Sequence, residues 1–151
     1  MNQQLIDEIN IEIISMSIIA LDVESLIKEV GNNTPTNIHK TALGGLAAQF
    51  YNGIENILKR IHKNLKIEIP KGEDWHVALI DRFSIASNIE FPIKISKELI
   101  EKISDYRRFR HYFFHGYSHN LNWDILKNGV IDIKEILEQF ISELKDNELI
   151  F

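Results

Sequence analysis

From Tyr106 to His119 the chain reads Tyr-Arg-Arg-Phe-Arg-His-Tyr-Phe-Phe-His-Gly-Tyr-Ser-His, without an acidic residue. Three of the five arginines and three of the six histidines of the whole chain fall here. Arginine and histidine set among bulky aromatics must be solvated or held by a partner or ligand. Histidine, which titrates near neutrality, can take and give protons, and arginine can clamp an anion through its fork of N–H donors. Within the stretch, Arg110-x-x-x-x-His115-x-Tyr117, with His111 beside the arginine, is the arrangement with the clearest chemical use.

These side chains need an element to carry them. Leu99, Ile103, Tyr106, Arg110, Phe113 and Tyr117 recur at intervals of four and three, the inward seam of a bundle helix, so Arg110 stands where a core residue is expected. An unpaired buried charge is very costly, so the seam must meet an anion, a carboxylate or a water-filled interface there. His111 and His115 are one turn apart on the neighbouring face. Ser96 is the expected N-cap of this helix and Gly116 its end, which leaves Tyr117, Ser118 and His119 in the following turn.

Apolar spacing places further helices before and after it. Leu5 to Val30 reads as one long amphipathic helix, closed by Gly31 with Pro35 shortly after. A second helix begins near Thr36 and carries the stripe Leu43, Leu46, Ala47, Phe50, Ile54, Ile57, Leu58, Ile61 and Leu65. Gly44, Gly45 and Gly53 inside it point to close helix packing. Glu73-Asp74 opens a shorter helix running towards Ile85, and Asn88 to Ile95 forms a loop. Asn122 to Asn128 makes a short helical piece, and Gly129 precedes a last helix over Ile133 to Leu144. No strand-like alternation, repeat or low-complexity tract is present. The expectation is an all-α fold, an antiparallel four- to five-helix up-and-down bundle, as a single domain over residues 1–151.

Composition is that of a soluble globular protein, 44% hydrophobic and 26% charged, and no apolar run is long enough for a membrane helix. Absence of cysteine rules out disulfides and thiolate metal sites and fits a cytoplasmic location. The net charge of −5 would argue against a nucleic-acid partner. Its distribution is uneven, however: Lys59, Arg60, Lys63, Lys66 and Lys71 face only Glu68 in their stretch, and local basic patches can steer a polyanion.

The chain resembles HepT-like HEPN toxins at three landmarks in order. These are Phe50-Tyr51-Asn52-Gly53-Ile54-Glu55, then Pro70-Lys71-Gly72-Glu73-Asp74-Trp75-His76, then Phe109-Arg110-His111 with the Arg-x-x-x-x-His core. The resemblance implies a HEPN-like bundle that forms a homodimer, with a metal-independent ribonuclease site at the dimer interface. It implies RNA, with tRNA in view, as substrate, and a nucleotidyltransferase antitoxin of the MNT type as partner. The tyrosine of His-x-Tyr, Tyr117, is the implied acceptor of AMP groups from that antitoxin. No cofactor and no metal are called for.

Cleaving RNA without metal requires a base for the 2′-hydroxyl, an acid for the leaving 5′-oxygen and a cation for the charged phosphorane. His115 is assigned as principal acid/base, Arg110 as phosphate and transition-state clamp, and His111 as an orienting polar group. Arg107, Arg108 and His119 are candidate RNA contacts. Residues five apart on a helix point about 140° apart, so Arg110 and His115 of one copy would not easily meet on one phosphate, and two copies are expected to complete the site.

Other readings remain. One is a non-catalytic HEPN-like binding or partner module, which would be expected to have lost Arg110 or His115. A zinc site from His111, His115 and His119 is interrupted at Gly116, and a di-metal carboxylate bundle needs a Glu-x-x-His from each of two facing helices, a pair this chain does not supply. His39, His62 and the Trp75-His76 dipeptide read as packing or surface positions.

Overall fold

In the computed structural model, residues 3–87 and 90–150 are described; Asn88, at the start of the expected loop, lies outside them. The chain is an all-α bundle. Four long helices, α1 (Gln3–Val30), α2 (Asn37–Asn64), α4 (Lys97–His115) and α6 (Ile133–Asp146), are joined by the short helices α3 (Trp75–Asp81) and α5 (Trp123–Val130). α1 packs on α2 and α6, α2 on α4, and α4 on α6, around one apolar core that includes Ile9, Met16, Phe50, Ile54, Leu79, Ile103, Leu126 and Phe140. Among the described residues, no helix is long and apolar enough to cross a membrane.

The helix ends follow from the residues found there. Gly31 closes α1 in the left-handed region at φ +51°, where a Cβ would be strained, and its N–H donates to the Ile27 carbonyl. Thr36 caps α2: its hydroxyl accepts from the His39 N–H at 3.2 Å, and the His39 ring nitrogen accepts from the Thr36 N–H at 3.1 Å. Histidine here takes the part usually played by Glu or Gln in a capping box. Ser96 caps α4 by accepting from the Leu99 N–H, and it also donates to the Glu143 carboxylate from both its N–H and its hydroxyl. The start of α4 is thereby fastened to α6.

Two of the three α2 glycines are close-packing positions. A Cβ on Gly44 would run into the Phe113 ring of α4, and one on Gly53 would come within 2.6 Å of Met16 of α1, whereas Gly45 has open space around it. The pair Gly45 and Gly53 makes an internal control. Gly45→Ala is expected to stabilise by about 1 kcal/mol through helix propensity alone. Gly53→Ala is expected to destabilise, because overpacking a fully buried Met16 costs about 1–3 kcal/mol against that same gain. Chemical denaturation of the two variants beside the wild type would read both signs, and equal stabilisation would refute the packing role of Gly53.

Several expectations are corrected. Gly129 lies inside α5 rather than in the connection before the last helix, because it sits against the Phe109 ring, 2.6 Å from where its Cβ would be. The third helix stops at Asp81, and Ile85 lies beyond it, exposed, in a stretch where Ser84 forms an isolated parallel bridge with Ile95. Gly116 ends α4 in extended backbone at φ −109°, not in the left-handed region; its lack of a side chain instead admits Leu121, which would lie only 3.2 Å from a Cβ here. The Lys59–Lys71 stretch is largely neutralised by acids that lie elsewhere in sequence. Lys59 pairs with Glu55, and Arg60 bridges Glu8 and Glu12 of α1 at 2.8 and 2.9 Å. On the outer side of α1, Ile11, Ile14, Ile18 and Leu21 remain exposed.

Candidate active site

α4 is held to the core by Leu99, Ile100, Ile103, Tyr106 and Phe109. The Tyr106 ring lies against Phe50 at 5.4 Å and its hydroxyl donates to Asp132 at 3.2 Å. That anchoring leaves the second half of the helix to present polar groups. Arg107, Arg110, His111, Phe114 and His115 form one wall of a cleft of about 520 Å³, and Glu73, Asp74 and His76 line it from the segment that opens α3.

Arg110 is half-buried, and its Nε is a buried donor without a hydrogen-bond partner. Its guanidinium lies 5.3 Å from the centre of the Phe114 ring. A buried donor left unmatched costs about 1–3 kcal/mol, so the arginine is held in the cleft wall at a cost to stability. The His111 and His115 rings are 4.0 Å apart between centres, side by side on the exposed edge of the helix. Arg110 and His115, though five residues apart on the helix, line one cleft within a single chain.

His76, on the cleft, is held by residues to which sequence reasoning assigned no role. Glu55 of α2 is buried, at 6% exposure, and its carboxylate accepts from Lys59 Nζ and pairs with His76 Nδ1, each at 2.7 Å. Trp75 stacks on His76 with ring centres 3.6 Å apart, and the Lys59 ammonium lies 4.3 Å from the Trp75 ring centre. The signal available in the sequence was the spacing Glu73-x-x-His76 together with Glu55 in the first landmark. Neither shows which carboxylate would reach the histidine.

The remaining predicted residues lie elsewhere. Tyr117 is 75% exposed on the turn after α4, so it is not part of the inward seam, and its ring stacks on His119 at 5.8 Å. That turn is tied to α2 by a hydrogen bond between the Ser118 and Thr41 hydroxyls. Arg108 points outward and pairs with Asp105. Neither Arg108, Tyr117 nor His119 lines the cleft. Among the described residues, no three of His, Asp and Glu converge as metal ligands.

His62 belongs to the core. It is fully buried between Phe83 and Phe91, its Nδ1 donates to the Leu58 carbonyl at 3.0 Å, and burial holds its pKa below the ordinary value. The folded state thus takes up this proton less readily than the unfolded chain, so stability is lost as pH falls below about 6.5, by at most ~1.4 kcal/mol per pH unit from this group. Unfolding free energies between pH 7.5 and 5 are expected to show that slope, and His62→Met to flatten it. An unchanged slope in the variant would assign the pH dependence elsewhere.

One cleft of this helical bundle thus gathers two arginines and three histidines beside Glu73 and Asp74. A family model for HepT-like proteins matches residues 42–148, which include every residue of the cleft. The chain belongs to this HepT-like HEPN-domain family, whose setting is that of toxin–antitoxin systems. No curated protein and no solved structure matches the chain.

Proposed function

We propose that this protein is the toxin of a HEPN/MNT toxin–antitoxin pair, a metal-independent ribonuclease that cleaves RNA, with tRNA as the candidate target, in the cleft of α4. The observation that carries the reading is the grouping of Arg107, Arg110, His111 and His115 on one cleft wall, with the Arg110 Nε buried and unmatched. Arg110 clamps the phosphate and the developing phosphorane charge, His115 transfers a proton, and His111, in ring contact with His115, orients it. Homodimerisation adds a second cleft, and Arg107 adds a phosphate contact at the rim. The family membership supports a nucleotidyltransferase antitoxin as partner.

Tyr117 is the proposed acceptor of AMP from that antitoxin. Its exposure makes the hydroxyl reachable by another enzyme, and its place just past His115 would set a negative phosphodiester at the mouth of the cleft, where it would repel RNA. Intact mass after co-expression with the antitoxin is expected to rise by multiples of AMP, and Tyr117→Phe to remove the increase.

Purified, unmodified protein incubated with total RNA in EDTA is expected to cleave it and leave 2′,3′-cyclic or 3′-phosphate ends. No cleavage from such a sample would favour the alternative, a HEPN-like binding module that holds a partner without turning over RNA.

A further inference from the structure

His76 lines the same cleft as the α4 residues and is paired with the buried Glu55, and neither residue has a part in the function proposed above. A carboxylate can only accept, so the 2.7 Å contact makes His76 Nδ1 the donor, and in the neutral ring this leaves the lone pair on Nε2. Glu55 is fixed in turn by Lys59, also at 2.7 Å, and the His76 ring is clamped by its stack on Trp75. A histidine whose tautomer is set by a buried carboxylate and whose ring plane is set by a half-buried tryptophan is organised as a proton acceptor, with the carboxylate stabilising the imidazolium that results. A surface histidine would need neither the buried acid nor the stack.

We infer that His76 is the general base of RNA cleavage and Glu55 its positioning residue, with His115 as the acid; this rests on the ribonuclease reading. The 2′-hydroxyl proton passes to His76 Nε2 as the 2′-oxygen bonds to phosphorus. The bond from phosphorus to the 5′-oxygen breaks, and that oxygen takes a proton from His115. The products are a 2′,3′-cyclic phosphate and a 5′-hydroxyl, and the two histidines exchange protonation states, to be reset through solvent. Base and acid then come from two elements that line one cleft, α3 and α4.

The two roles separate on an RNA whose scissile 5′-oxygen is replaced by sulfur, because a thiolate leaves without a general acid. His76→Gln is expected to lower kcat by at least ~100-fold on both the oxygen and the sulfur substrate, whereas His115→Ala is expected to recover on the sulfur substrate alone. His76→Gln within about threefold of the wild type, or restored by sulfur, would overturn the assignment while leaving the ribonuclease reading intact. No cleavage of either substrate by wild-type protein would overturn both. The orienting part of Glu55 has its own readout: proton–nitrogen NMR of the wild type is expected to show His76 protonated at Nδ1, and an Nε2–H tautomer would contradict it.

Discussion

Replacing His115 by alanine is expected to reduce RNA cleavage by about 10²–10⁴-fold, the range for loss of a positioned proton-transfer group. Arg110→Met is expected to reduce it by about 10²–10³-fold, as for loss of a preorganised donor to developing charge. The His115 side chain is exposed at the last turn of α4 and makes no core contact, so the melting temperature should move by no more than about 2 °C. Arg110 differs in one respect. Its Nε is buried and unmatched, so the methionine variant, which puts a methyl group in place of that donor, is expected to be as stable as the wild type or slightly more so. A stability gain together with an activity loss is the mark of a group kept for function. Arg108→Ala and His119→Ala, whose side chains lie outside the cleft, should cleave within about threefold of the wild type. Initial rates on one RNA and thermal melts for the four variants would test the whole pattern; an inactive Arg108→Ala beside an active His115→Ala would displace the site from the cleft.

The largest effect on stability is expected at Phe50. This ring is fully buried on α2 and lies 5.4 Å from Tyr106, the residue through which α4 is seated on the core before it turns its polar half to the cleft. Phe50→Ala is expected to cost about 3–5 kcal/mol, the sum of lost transfer energy and an unfilled cavity. Because the loss falls at the α2–α4 contact, cleavage should fall at temperatures where the fold is still intact by circular dichroism. Urea unfolding followed by tryptophan fluorescence would measure the cost. A loss below about 1 kcal/mol would mean that the site collapses to fill the space and that Phe50 does not seat α4.

Much of the fold was legible because helical periodicity and caps are local. The stripe on α2 and the caps at Thr36, Ser96 and Gly31 each depend on residues within a turn or two of one another. What was not legible depends on distance in sequence. Glu8 and Glu12 neutralise Arg60 across the α1–α2 contact, and nothing in the Lys59–Lys71 stretch announces them. The short helix expected over Asn122 to Asn128 in fact runs through Gly129 to Val130, and the Phe109 ring against Gly129 comes from another helix. The same holds for the site. Arg110, His111 and His115 could be grouped from spacing on one helix, but His76 and its partner could not, since Glu55 and His76 meet only after α2 and α3 pack. Tyr117 continues the four-three count of the seam, but Gly116 ends the helix before it, as the sequence itself signals, and past that point the spacing no longer maps to one face.

The six histidines provide the most direct test of where RNA binds. His76, His111 and His115 line the cleft, whereas His39 caps α2 and His62 lies in the core. Titrating histidine-labelled protein with a short single-stranded RNA carrying 2′-O-methyl groups, which bind but cannot be cut, gives each ring its own NMR signal. The signals of His76, His111 and His115 are expected to move together with one saturation curve, weakening as salt is raised, while those of His39 and His62 stay in place. RNA binding that leaves the three cleft histidines unmoved would contradict the placement of the active site.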